Sequence, residues 1–202
     1  MGFLKKAFRS GDTSGWEDFA RSTRAEIVKG SLTRSDRVVT KYKSWYITLD
    51  KYTVSSQYSH QVFTRLTAYY RTTDELSFKI SRKSAFYKIG RFFGIKDIET
   101  GNPDFDNAFL IQGSDSTKLM SLFSDRELRQ AVSDQTSTNI QAKKARTFIN
   151  RKIPEGVFSL VYQELGIITD IDHLKLLHEL IKKFLEQLYN IGSATKEMLH
   201  LE

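Results

Sequence analysis

The chain of 202 residues contains no cysteine, which excludes a disulfide framework, a thiolate metal site and a cysteine nucleophile. Hydrophobic residues form 40% of the sequence, including 14 Phe and 9 Tyr, so the composition is that of a folded domain and not of a disordered chain. The formal net charge is +7, and residues 1–44 hold 10 Lys and Arg against 5 Asp and Glu. An anionic partner is therefore expected first at the amino-terminal end.

Residues 1–13 are interpreted as a flexible basic tail, residues 14–200 as a single domain and residues 201–202 as vector-derived. The tail segment "GFLKKAFRS" mixes cations with apolar side chains, which suits weak adsorption to an anionic membrane surface, although a frayed terminus explains the same pattern. Its candidate contacts with an anionic partner are Lys5, Lys6 and Arg9. Because no apolar run approaches the ~20 residues of a spanning helix, we expect a cytoplasmic protein, free or peripheral at the inner membrane.

Hydrophobic spacing in the first half predicts a helix over 15–29 and then strands within 37–54, 60–70 and 75–83. The turn composition of "RTTDE" predicts an antiparallel hairpin between the last two strands. The inward positions of the first and third strands are expected to be Trp45, Ile47, Leu49, Leu76, Phe78 and Ile80. A return to helical spacing predicts a further helix over 84–94.

The second half begins with a short buried strand over 107–113, followed by two short helices. The segments "TSTNIQAKKARTFI" and "GVFSLVYQELGIIT" are rich in β-branched residues and favour strands. Apolar residues recur at i, i+3, i+4 and i+7 over 170–190, which predicts the longest helix, ended by Gly192. These elements predict an α+β fold, in which an antiparallel sheet is packed by an amino-terminal helix and a long carboxy-terminal amphipathic helix.

The stretch "IKDIETGNPDFDNAFLIQG" contains four carboxylates, Asp97, Glu99, Asp104 and Asp106. Their spacing begins a calcium loop but does not complete it, because no Glu closes the series. We interpret the stretch as a turn into a buried strand, in which Asn102 and Asp104 organise the turn and Asp106 is solvated or paired with a lysine. The structural residues of this turn are expected to be Gly101, Pro103, Asp104 and Asp106. No metal and no cofactor is predicted.

The histidines show no pattern of a metal or catalytic site. His173 and His178 are five residues apart on the predicted helix, whereas a zinc pair on one helix face needs three or four, and His178 is expected at the edge of the apolar stripe. His60 lies at the start of a strand, and sequence spacing places no nucleophile or orienting carboxylate near it, as a catalytic base would need. Both glycine-rich phosphate-binding motifs are absent, which disfavours an ordinary nucleotide-dependent enzyme. No catalytic residue is predicted.

The segment "SRKSAFYKIGRFFGIK", residues 81–96, interleaves cations with aromatic residues. Such a pattern can follow phosphates and stack bases, but an amphipathic helix with solvated cations gives the same sequence and is the favoured interpretation. The candidate contacts with an anionic partner in this segment are Arg82, Lys83, Lys88, Arg91 and Lys96.

The chain resembles uncharacterised bacterial proteins that share a core of the form G-(D/N)-P-x-F-D-x-x-F-x-I-x-G-x-D. The resemblance covers about half of the chain. The matching positions are Gly101, Pro103, Phe105, Asp106, Phe109, Ile111, Gly113 and Asp115. The resemblance implies no catalytic residue, and the motif positions themselves indicate a turn followed by packed side chains.

Three function classes follow from these observations. The first is a non-enzymatic bacterial domain that binds a protein partner, a lipid surface or an apolar ligand enclosed between the sheet and the long helix. The second is an enzyme, hydrolase-like, whose polar residues converge only in three dimensions. The third, ranked below both, is a protein that binds nucleic acid through residues 82–96.

Overall fold

An antiparallel β-sheet dominates the computed structural model, which describes residues 14–30, 35–56, 59–84, 97–145 and 153–199. The described strands are β1 (Glu26–Val28), β2 (Arg37–Tyr42), β3 (Trp45–Ser55), β4 (His60–Arg71), β5 (Phe78–Arg82), β6 (Phe109–Gly113), β7 (Asn139–Lys144) and β8 (Val157–Leu165). The described helices are α1 (Ser14–Thr23), α2 (Pro103–Ala108), α3 (Ser116–Leu122), α4 (Arg126–Ser133) and α5 (Ile171–Asn190). The strand order is β1-β2-β3-β4-β8-β7-β5-β6. These elements confirm the predicted α+β fold.

Alternation of side chains gives the sheet two different faces. In β3, Trp45, Ile47 and Leu49 are at most 2% exposed, whereas the residues between them are partly exposed. Leu49 pairs with Val38 on one side and with Leu66 on the other, so the apolar row continues across the sheet. The predicted inward positions are confirmed, because all six are buried: Trp45, Ile47, Leu49, Leu76, Phe78 and Ile80.

Helix α5 covers much of this apolar face. The side chain of Phe184 stacks on Phe78 of β5 with 5.9 Å between ring centroids, and it meets Phe123 edge-on at 6.3 Å. The predicted helix over 170–190 is confirmed, and Gly192 adopts a φ of 74° just beyond its end. Of the seven apolar residues that follow the predicted helical spacing, Ile171 is partly buried and the other six have no exposed surface: Leu174, Leu177, Ile181, Phe184, Leu185 and Leu188.

The predicted first helix is too long. Helix α1 ends at Thr23, and Arg24 takes a positive φ of 54° that turns the chain away from the helix axis. Residues Glu26–Val28 then form β1, which pairs with β2. Ile27 therefore packs as a strand residue, because an open sheet edge is available to a β-branched sequence there.

The predicted hairpin between β4 and β5 is wrong. The strand β5 pairs with β6 and β7, and the partner of β4 on that side is β8. The segment "RTTDE" is a connection between distant strands, in which the Asp74 carboxylate accepts hydrogen bonds from Thr72 and from the backbone of Leu76. The predicted helix over 84–94 lies outside the described residues except for its first position.

Helix α1 approaches the start of α5 very closely. The indole N–H of Trp16 donates to the Ile168 carbonyl at 2.7 Å, and the Trp16 side chain is fully buried. A Cβ atom added at Gly15 would lie 1.8 Å from the Thr169 carbonyl oxygen. Only glycine allows this contact without a backbone shift.

We predict that Gly15→Ala destabilises the fold by about 1–3 kcal/mol, the usual range for overpacking a tight contact. Ser22→Ala, a change on the exposed side of the same helix, is the control and is expected to alter stability by less than about 0.5 kcal/mol. Urea denaturation followed by circular dichroism measures both. Equal midpoints for Gly15→Ala and the unmodified chain would contradict the contact.

Candidate functional site

The acidic stretch forms a self-contained turn. The Asp106 carboxylate accepts from the Thr100 N–H at 2.8 Å, the Thr100 hydroxyl at 2.7 Å and the Gly101 N–H at 3.1 Å. The Asn102 side chain caps α2 by accepting from the Phe105 N–H at 3.0 Å. The Asp106 and Asn102 side chains both accept hydrogen bonds from backbone N–H groups a few residues away, which is the pattern of a turn.

Two details of the predicted turn need correction. Asp106, expected to be solvated or paired with a lysine, is the residue that organises the turn, and the expected organiser Asp104 is exposed. Residues Pro103–Ala108 form the short helix α2, with Pro103 in its first turn and Gly101 at a φ of 84° before it. In the parts of the chain that the structure describes, no three His, Asp or Glu side chains are grouped to hold a metal ion.

The three described histidines lie in three different environments. His60 is exposed, and its Nδ1 lies 2.8 Å from the Ser55 hydroxyl. His173 Nε2 lies 3.6 Å from the Glu164 carboxylate, which also accepts the Tyr162 hydroxyl at 2.5 Å. This last group links the end of β8 to the first turn of α5.

His178, expected at the edge of the apolar stripe, is instead in the core and 4% exposed. Its Nε2 lies 2.7 Å from the Thr40 hydroxyl, and its ring meets Phe19 edge-on at 5.6 Å. Burial, and secondarily the charge of Lys182, lowers the pKa of His178 to about 4, while the weaker effect of Glu179 opposes them. The imidazole is therefore neutral at pH 7 and serves the packing of α1, α5 and β2.

The basic and aromatic segment is only partly described. The Arg82 guanidinium donates to the Ser133 and Gln135 carbonyls at the end of α4, and it lies 4.9 Å from the centroid of the Phe109 ring. Arg82 therefore joins β5 to α4, whereas Lys83 is exposed. The other candidate contacts with an anionic partner lie outside the described residues: Lys5, Lys6, Arg9, Lys88, Arg91 and Lys96.

The sheet face opposite the described helices, here named the open face, carries a different set of side chains. Its central row is small or uncharged, since Thr48 pairs with Thr67 and Thr67 with Val161. Among the described strand residues, cations outnumber acids on this face, as strand alternation places the side chains. The cations are Arg37, Lys41, Arg65, Arg71, Lys79 and Lys143, and the acids are Glu26, Asp50 and Asp97. Arg71 is paired with Glu197, which follows α5.

One row of the open face places an acid between two cations. Asp50 pairs in register with Arg37 on β2 and with Arg65 on β4. The Arg65 guanidinium donates two hydrogen bonds, of 2.8 and 2.5 Å, to the Asp50 carboxylate. Burial alone would lower the pKa of Arg65, but the hydrogen bonds and charge of Asp50 outweigh burial and raise it. Arg65 is thus a fixed cation.

Four partly buried aromatic rings flank this row. Tyr52 pairs with Phe63 across β3 and β4, with 6.5 Å between their ring centroids, and Arg65 lies 4.6 Å from the Tyr52 centroid. Towards the other end of the same strands are Tyr46, which pairs with Lys41, and Tyr69, which pairs with Ser159. Sequence reasoning missed this surface, although the even positions of "WYITLDKYTV" already show it as a polar and aromatic side.

Comparison of the chain with protein-family models, with curated proteins and with solved structures finds no match in any of the three. The resemblance to the bacterial proteins with the G-(D/N)-P-x-F-D core therefore stays a prediction. Among the described helices, none is both long enough and apolar enough to cross a membrane.

We predict that Asp106→Ala destabilises the fold by about 1–3 kcal/mol, because it leaves two backbone N–H groups without their acceptor. Asp104→Ala is the matched control, since Asp104 is exposed two residues away, and it is expected to change stability by less than about 0.5 kcal/mol. Thermal melts with EDTA, calcium or magnesium are expected to coincide for the unmodified chain. A rise in Tm with either metal that Asp106→Ala abolishes would contradict the turn.

We predict a pH dependence of stability that arises from His178. The folded-state pKa of about 4 lies below the ordinary 6.5, so the unfolded chain binds the proton more tightly, and stability present above pH 6.5 is lost as the pH falls towards 4. Between pH 7 and pH 5 this loss is about 2 kcal/mol. His178→Gln is expected to be less stable at pH 7 but to lose less on acidification. His60→Gln is the control; an equal loss in all three proteins would exclude His178 as the cause.

Proposed function

We propose that the chain is a non-enzymatic binding domain that contacts an anionic partner through the open face of its sheet. The observation that carries the proposal is the placement of cations and aromatic rings on one side of the sheet while the described helices occupy the other side. Four partly buried aromatic rings lie on the same face as these cations. Surfaces of this composition are typical of binding sites.

The packing between the sheet and α5, and the charged rim of the depression beside α1, support an anionic partner over an apolar ligand. Between the sheet and α5 the side chains of Leu160, Ile181 and Phe184 have no exposed surface, so the region where an apolar ligand was expected is filled by the core. A depression of about 290 Å³ beside α1 is open and rimmed by charged side chains. Its lining is Glu17, Ala20, Arg21, Arg24, Ala25 and Ile27.

The surroundings of the histidines support binding over catalysis. His60 has a hydroxyl partner at an exposed strand end, and His178 is a core residue against Thr40. That the chain is an enzyme whose site assembles only in three dimensions stays a prediction. The group of Tyr162, Glu164 and His173 is the first candidate for acid–base catalysis under that alternative.

Heparin, a flexible polyanion, tests the proposal. Because the whole chain carries +7, retention on heparin–agarose alone is uninformative, and the difference between variants is the measurement. Arg37→Gln with Lys41→Gln removes two cations from the open face and is expected to lower the salt concentration of elution. Lys175→Gln with Lys182→Gln removes two cations from α5 and is the charge-matched control.

Equal elution of the two double variants would overturn the proposal, because the open face would then act only through net charge. The Arg65 side chain is left unchanged in this experiment, since its removal strands the partly buried Asp50 carboxylate and confounds binding with stability.

A further inference from the structure

Resting on the proposed function, we infer that the anionic partner of the open face is a single-stranded nucleic acid whose bases stack on the aromatic rings of β3 and β4. The site consists of Tyr46, Tyr52, Phe63 and Tyr69 with the cations Arg37, Lys41 and Arg65. None of its residues belongs to the segment 82–96 that the sequence pointed to.

The rings are placed for stacking. They lie on neighbouring antiparallel strands, partly buried between cross-strand neighbours, so little conformational freedom remains to be lost on binding. Tyr52 and Phe63 stand at one end of the face, and Tyr46 stands six residues along β3, which is a distance of about 20 Å. Two aromatic platforms at this separation suit an extended strand with unpaired bases better than a single small ligand.

The cations are placed for phosphates. Lys41 is exposed beside Tyr46, and Arg37 and Arg65 flank Asp50 in the row that separates the two platforms. Arg65 is already held by Asp50 and lies against the Tyr52 ring, so its guanidinium has a fixed position beside a ring on which a base can stack. Cations interleaved with aromatic rings are the recurring chemistry of surfaces that bind single strands without reading sequence.

A membrane surface fits this face less well. Contact with lipid favours apolar side chains that project into the headgroup region, whereas these rings are partly buried on a sheet face, and Tyr52 and Phe63 lie beside each other there. A duplex fits less well too, because its bases are already stacked and offer no face to a tyrosine.

The test is fluorescence anisotropy with a labelled oligothymidylate of about 12 nucleotides, within the range that single-strand sites occupy. The unmodified chain is expected to bind it at low salt, to weaken as salt rises, and to prefer it to a duplex of equal length. Tyr46→Leu and Phe63→Leu, which keep apolar bulk and remove the aromatic face, are each expected to weaken binding by about fivefold or more.

Tyr189→Leu is the matched control, because Tyr189 is 39% exposed on α5, away from the open face. Thermal melts establish that all three variants fold. Absence of binding at low salt, or equal affinity for Tyr46→Leu, Phe63→Leu and Tyr189→Leu, would overturn the inference.

The outcomes also separate this inference from the proposed function. Elution from heparin that depends on Arg37 and Lys41, with no oligothymidylate binding, would overturn the nucleic acid and keep an anionic partner. Binding to vesicles of phosphatidylserine that the same ring variants abolish, without binding to the oligonucleotide, would also overturn it and favour a lipid surface. Loss of both the heparin difference and oligonucleotide binding would overturn both.

Discussion

The apolar contact between α5 and the sheet holds together elements that are far apart in the chain. Phe184 meets both Phe78 of β5 and Phe123 after α3, and Phe123 in turn packs on Phe105 of α2. Such rings bury large apolar areas, so this cluster supplies much of the driving force that fixes the helices on one face. The described helices pack on this one face, and the polar and aromatic side chains of the other face are the reason we propose that it binds a partner.

The same division of faces explains where charge is tolerated. His178 lies on the packed side and is held neutral by burial, whereas Arg65 lies on the open face and stays charged because two hydrogen bonds to Asp50 and the Asp50 charge outweigh its partial burial. An ion pair that is partly exposed contributes little to stability. The Arg65–Asp50 pair is better explained by its effect on position, because it fixes the Arg65 guanidinium beside the Tyr52 ring.

Local periodicity predicted most of the fold, because spacing reports which side of an element is buried. Turn composition predicted the turn around Gly101, whereas periodicity predicted the stripe of α5 and the inward side of β3. It did not predict the partner of β4, since pairing depends on which distant strand fits and not on the connecting segment. It also missed the role of Asp106, because hydrogen bonds to the backbone of Thr100 and Gly101 leave no periodic signal. The open face as a set of neighbouring side chains was not predicted for a related reason: its members come from separate strands that meet only when the sheet forms.

The strand order has a consequence for how the molecule is made. The strand β4 ends at Arg71, and its partner β8 begins only at Val157, so the middle of the sheet stays incomplete until most of the polypeptide has left the ribosome. Long closures of this kind slow folding, and the bare edges of β4 and β7 can meanwhile pair with other nascent chains. Synthesis at low temperature or with abundant chaperones favours the soluble product, since both give β8 time to insert.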